Sequence, residues 1–277
     1  MKRLLLSCIL CGIVSYSAVM SLASPERITV KDASGRDVSI PAQEYWDMVY
    51  AGPVKEARND PAQLYTVLSD ALQEGFVLEV ERKIQEHLLA QGSSSDLLYL
   101  LAVLQSDTRR EEEARQTLWQ ALQEDPNSLY ALSWWGGIHY QEGGLEALAA
   151  AMEKAAGIEG AWRPQLWVAR SFIEQGKLDP ALALYREILP RAAQDTDALL
   201  MISGDLGKNG HAEQVLELLL NLYDPGTHSP LFGLNLARAC LVTGQKEKGL
   251  EICETLEPQL SSEDPRLAEL RKELNAL

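Results

Sequence analysis

The chain has 277 residues, with 25 basic and 40 acidic side chains and a formal net charge of −15. So acidic a protein repels nucleic acid and anionic membrane surfaces, which are held through clustered Lys and Arg, and favours basic or neutral partners. Its length alone would suit one or two globular domains, unless the chain repeats along one axis.

From the start, Met1-Lys2-Arg3 is a short basic head, and Leu4 to Met20 carries no charge. Ser21-Leu22-Ala23 supplies small residues of the kind found before a signal-peptidase cut, so residues 1–23 read as a secretory signal. An uncleaved N-terminal membrane anchor is the alternative, although the run barely spans ~30 Å of hydrocarbon. Membrane contact is expected only through this segment, and only if it is retained. A lipoprotein site at Cys8 would need a longer apolar run before it. The expected location is therefore exported, in the periplasm. Cleavage removes Lys2 and Arg3 and no acid, so −15 becomes −17.

Residues 24–60 differ in character. Ile28-Thr29-Val30 and Val38-Ser39-Ile40 alternate around Ser34-Gly35, which predicts a small β-hairpin. Tyr45, Trp46, Met48, Val49 and Tyr50 form an apolar cluster expected to cover the first helices after it.

From residue 61 onward the pattern is helical and periodic. Leu98, Leu101 and Ala102 share one helix face, Ser106–Arg110 is a polar break, and Ala114, Leu118 and Ala121 make a second face. Asp125-Pro126 stops that helix, because proline cannot continue it. The pattern restarts at Leu132, Trp135 and Gly136. Extending the frame gives six units, at 61–94, 95–128, 129–161, 162–195, 196–229 and 230–263, with glycines 75, 143, 176, 210 and 244 at turns. Residues 264–277, with Leu267, Leu270 and Leu274 among charges, read as a capping helix.

A helix pair that carries a large residue, a small residue, a turn glycine, alanines and a closing proline resembles the tetratricopeptide repeat. Leu98, Leu101, Ala102, Ala114, Leu118, Ala121 and Pro126 carry the match in one unit, and Leu132, Trp135, Gly136, Gly143, Met152 and Ala155 in the next. The resemblance implies an all-α fold: a right-handed superhelical α-solenoid of six hairpins with a capping helix, preceded by the small β-hairpin. The string ITVKDASGRDVSIP separately resembles the opening hairpin of periplasmic binding proteins for iron–siderophore and corrinoid uptake. That resemblance brings no ligand-binding residue with it.

In tetratricopeptide arrays the first helices line a concave groove that holds peptides or helices, and the resemblance implies the same here. The groove residues on this register are Tyr99, Tyr130, Trp134, Tyr140, Arg163, Trp167, Arg170, Asn235 and Arg238, with Tyr65, Ser69 and Val103 alongside. Tyr, Trp and Arg dominate binding energy at interfaces. Several of the aromatics could instead pack between neighbouring repeats. The lysine–asparagine clamp with which chaperone-binding members hold a C-terminal carboxylate is not reproduced.

No catalytic constellation stands out. His87, His139, His211 and His228 lack metal-ligand spacing, and His139 sits at a core position of its helix. Gly204, Gly207 and Gly210 follow no strand and read as a loosened helix end, not a phosphate loop. No enzyme, cofactor or metal is expected. Cys240 and Cys253 face inward on one hairpin, where they could close a disulfide or remain buried thiols.

Two classes of function remain. One is an exported scaffold that binds a protein or peptide, a basic one included, in the groove. The other is an accessory of an envelope uptake or assembly machine, docked through the N-terminal hairpin. A glycan-binding solenoid is a third.

Overall fold

The computed structural model describes residues 25–260 and 264–277. The segment expected to be the signal, 1–23, lies outside them. Two compact units are distinguished, one up to Ala151 and one from Met152.

The first unit opens with strands β1 (Arg27–Lys31) and β2 (Asp37–Pro41), antiparallel, with Ile28 opposite Ile40 and Val30 opposite Val38. Asp32 closes their turn, its Oδ1 accepting from the backbone N–H groups of Ser34 and Arg36, while Gly35 takes a φ of 80°. These bonds favour the carboxylate, so they hold Asp32 well below the usual range, at about 2, with the Ser34 hydroxyl contributing most.

Helices α1 (Ala42–Val49) and α2 (Ala51–Glu56) follow, and then the hairpins begin. The first pairs α3 (Pro61–Gln73) with α4 (Val77–Gln91), and the second pairs α5 (Ser95–Asp107) with α6 (Glu111–Glu124). Helix α7 (Leu129–Ala156) is interrupted at Gly143–Gly144, where Gly144 has a φ of 66°. Trp135 Nε1 donates to the Ala151 carbonyl at 3.2 Å, tying the two arms of α7 together.

The second unit contains α8 (Arg163–Glu174) with α9 (Leu178–Ala192), α10 (Thr196–Lys208) with α11 (Ala212–Leu219), and α12 (Pro230–Val242) with α13 (Lys246–Leu256). Helix α14 (Pro265–Ala276) comes last and buries Leu267, Leu270 and Leu274. The all-α repeat fold with a two-stranded sheet is the one the periodicity predicts.

One local device makes most of the turns. After α3, α8, α10 and α12 the chain passes through Gly75, Gly176, Gly210 or Gly244 at φ between 73° and 91°. The next residue then donates its N–H back to a carbonyl five residues earlier: Phe76 to Ala71, Lys177 to Phe172, His211 to Leu206 and Gln245 to Cys240. That bond satisfies a carbonyl the helix end leaves open, and it needs the left-handed residue. The turn after α5 is made the same way without glycine. Arg109 takes φ 61°, and Arg110 donates to the Gln105 carbonyl. Helix starts are fixed by side chains: Asp60, Asp195, Ser229 and Asp264 each accept from a first-turn N–H.

Each unit has its own core. In the first, Trp46 and Tyr50 of α1 and its C-terminal end pack on Phe76, with ring centroids 5.3 and 5.7 Å away. The expected apolar cover thus forms, but only in part: Met48 and Val49 of the same helix point to solvent. An eight-residue helix buries one face, and those two residues fall on the other. In the second unit Tyr185, Ile188, Ile202, Phe232 and Leu236 lie at the centre. The small residues Ala102, Gly136, Ala169, Ser203 and Ala237 are all buried, as close helix approach requires.

Candidate functional site

Within the first unit, three successive first helices carry aromatic rings to one place. Tyr99 of α5 lies 6.0 Å from Tyr130 and 6.0 Å from Trp134, both of α7, the latter edge-on. Tyr65 of α3 lies close enough that it and Tyr130 both raise the Tyr99 phenol. Burial is the larger cause, and the value reaches about 12. Tyr65 is itself raised by burial, with Asp96 adding to the effect. The ladder therefore runs from a half-buried Tyr65 and Tyr99 to an open Tyr130, which is 62% exposed. Such a face can stack on an apolar or cationic side chain, and Asp96 beside it suits a positive charge. Val103 is half-buried on α5, and Ser69 lies beside Tyr65 on α3. Tyr140 is half-buried further along α7 and joins no ring contact among the described residues.

The neighbouring Trp135 belongs to the interior. Its ring lies 5.0 Å from Trp119 and 4.4 Å from His139. His139 is partly buried there, its Nδ1 3.6 Å from Glu142.

The second unit treats its candidate residues differently. Arg170 Nε is 3.0 Å from each carboxylate oxygen of Asp205, and its guanidinium lies 5.1 Å over the Trp167 ring. Tyr185 donates to the same carboxylate at 3.4 Å. The side chains of Arg170 and Asp205 keep only 18% and 11% of their exposure. Burial pushes the Asp205 carboxyl up against the pull of Arg170. Arg163 is likewise occupied: it donates to Asp195 at 2.7 Å and lies 4.7 Å over Trp162. Asn235 donates to Ser203 Oγ at 2.9 Å.

Three of the expected groove residues are engaged within the chain: Arg163, Arg170 and Asn235 hold one hairpin to the next, bonded to acids and a hydroxyl about one repeat away. Trp167 carries the Arg170 guanidinium. Arg238 alone of the second-unit polar candidates is exposed. Asp195, Ser203 and Asp205 were not read as partners; their spacing of 32–35 residues from these donors was the available signal.

Cys240 and Cys253 are both buried and stand as free thiols, so of the two alternatives the unbridged one is present. Burial pushes the Cys240 thiol up to about 11 and raises Cys253 as well. Among the described residues no group of three His, Cys, Asp or Glu is placed to hold a metal, and no helix is long and apolar enough to cross a membrane.

No family model matches the chain, and no curated protein does. Solved structures do resemble it. The repeat is tetratricopeptide-like. PilF of Pseudomonas aeruginosa aligns at 16% identity over 80% of this chain and 98% of that one, with a TM-score of 0.42. A tetratricopeptide repeat protein from Parabacteroides merdae aligns at 14% identity over 84% and 96%, with a TM-score of 0.38. The TPR2AB domain of yeast Sti1, solved as a complex with pHSP90, aligns at 12% identity over 80% and 98%, with a TM-score of 0.30. At these values the likeness is one of general architecture, and the hairpin repeat rests on the helix boundaries and turns described above.

Proposed function

We propose that the protein is a non-enzymatic scaffold that binds a protein or peptide through the aromatic ladder Tyr65–Tyr99–Tyr130–Trp134. The carrying observation is that Tyr130 remains 62% exposed while its ring lies tilted 6.0 Å from Tyr99, which Trp134 also meets edge-on. A pre-positioned ring loses little conformational entropy on binding, which is why Tyr and Trp serve as anchors. Asp96 near Tyr65 and the net charge of −15 favour a basic segment as the partner. The export reading rests on residues 1–23 alone and places this binding outside the cytoplasm.

The test is capture of the cellular partner by full-length protein with Tyr130→Ala and Trp134→Ala. Both sites are at the open end of the ladder, so folding is expected to survive. Loss of capture with unchanged thermal unfolding supports the reading; capture equal to wild type contradicts it.

A second reading is favoured by the hairpin. Most residues of β1 and β2 are exposed, Val38 among them. A two-stranded sheet this open offers unpaired edges to another chain. Deleting residues 25–41 would abolish partner capture on this reading and spare it on the first.

A further inference from the structure

A cavity of about 530 Å³ opens in the first unit, walled by α1 and α2 on one side and α4 on the other. Its size lies within the range of small-molecule sites. Trp46, Val54 and Leu64 give it an apolar floor, and Trp46 and Leu64 are themselves core residues.

The rim has the opposite sign from the rest of the protein. Lys55, Arg58, Arg82 and Lys83 line it against only Asp47 and Glu86. Glu86 serves two of the cations, 2.7 Å from Lys83 and 3.4 Å from Arg82, and the Lys83 bond is the main cause that holds its carboxyl below the usual range. Asp47 accepts from Gln43 at 2.8 Å. Lys55 and Arg58 are exposed and have no acidic partner among the described residues. In a chain of net charge −15, four cations around one concavity concentrate positive potential where low-dielectric walls focus it.

His87 supplies the second, independent observation. It lies in the wall at 7% exposure and makes no hydrogen bond among the described residues, so its ring N–H is available to a ligand oxygen.

We infer that this cavity binds a carboxylate with an apolar tail. The tail lies on Trp46, Val54 and Leu64; the carboxylate accepts from His87 and is drawn by Lys55 and Arg58. The site is distinct from the aromatic ladder on the first helices, since its wall is the second helix of the hairpin.

The test uses full-length protein and calorimetric titration with three probes: decanoate, decanol and inorganic phosphate. Saturable decanoate binding at least about tenfold tighter than either of the others is expected. Lys55→Glu and Arg58→Glu, both at exposed positions, should each weaken decanoate several-fold with no change in the urea midpoint. His87→Leu should weaken it as well. Decanol binding as tightly as decanoate would remove the anionic half of the proposal, and phosphate binding as tightly would remove the apolar half. Decanoate affinity unchanged in both charge reversals, or no saturable binding at all, would overturn it outright.

Discussion

Arg170 and Asp205 stand 35 residues apart and meet with Nε 3.0 Å from both carboxylate oxygens, joining α8 to α10. Removing Arg170 leaves a buried carboxylate without its counter-charge. Arg170→Met is therefore expected to destabilise the protein by about 3 kcal/mol. Arg170→Met with Asp205→Leu should regain most of that loss, because an apolar pair of similar volume avoids the desolvation penalty. Urea unfolding of the three proteins measures both numbers; a double variant worse than the single one would refute the account.

The same carboxyl gives a pH signature. Desolvation raises Asp205 above its ordinary 3.8, outweighing the opposing effects of Arg170, Tyr185 and Lys208. Between 3.8 and the raised value the folded state holds more protons than the unfolded one, so this group's contribution favours folding more as pH falls through that window. Asp205→Asn cannot titrate. The stability difference between wild type and Asp205→Asn should thus shift toward wild type on acidification. A difference that is flat, or moves the other way, would show that the Arg170 attraction prevails over burial.

Arg109 is a non-glycine residue at φ 61° in a turn whose counterparts are glycines 75, 176, 210 and 244. The left-handed region costs an L-residue about 1–2 kcal/mol, and glycine's extra unfolded-state freedom offsets roughly half of that. Arg109→Gly is expected to stabilise the protein by up to about 1 kcal/mol. A lowered melting temperature would mean that the side chain makes up for its backbone.

Gly233 is needed for close approach and not for its backbone freedom. A Cβ there would come 2.6 Å from Tyr223 Oη and 2.7 Å from Leu256 Cδ2. Tyr223 is held by Thr255 at 3.2 Å, so it cannot simply swing away. Gly233→Ala should cost about 1–3 kcal/mol by overpacking. Circular dichroism melts of the variant check this, and an unchanged midpoint would show that Tyr223 repacks freely.

The two thiols offer a chemical test. With Cys240 pushed up to about 11 and both side chains buried, neither presents a thiolate at neutral pH. Native protein in which Cys8 and Cys11 are changed to Ser should react with an aromatic disulfide reagent only as fast as it unfolds, releasing two equivalents in denaturant. Fast native labelling would place at least one thiol at the surface.

Periodicity made much of the fold readable. The spacing of Leu98, Leu101 and Ala102 against Ala114, Leu118 and Ala121 follows from helix geometry, and the hairpin strands around Ser34-Gly35 from the period-two alternation of a strand. The side-chain partners were harder. Arg163, Arg170 and Asn235 share a composition with binding surfaces, and nothing in a local window separates a donor that faces a ligand from one that faces Asp195, Asp205 or Ser203 one repeat away. Reading each donor against the residues 32–35 positions later or earlier would have found all three partners. The cationic cavity was less visible still, since only the folded first unit brings Lys55 and Arg58 to Arg82 and Lys83 of α4.

Photo-crosslinking from position 130 in living cells tests the central claim most directly, with position 89 as the control. Leu89 is the more exposed of the two and lies on α4, away from the ladder. The account predicts one dominant protein adduct from position 130 that is absent from position 89 and lost in Trp134→Ala. Equal adducts from both positions, or an adduct that persists in Trp134→Ala, would contradict it.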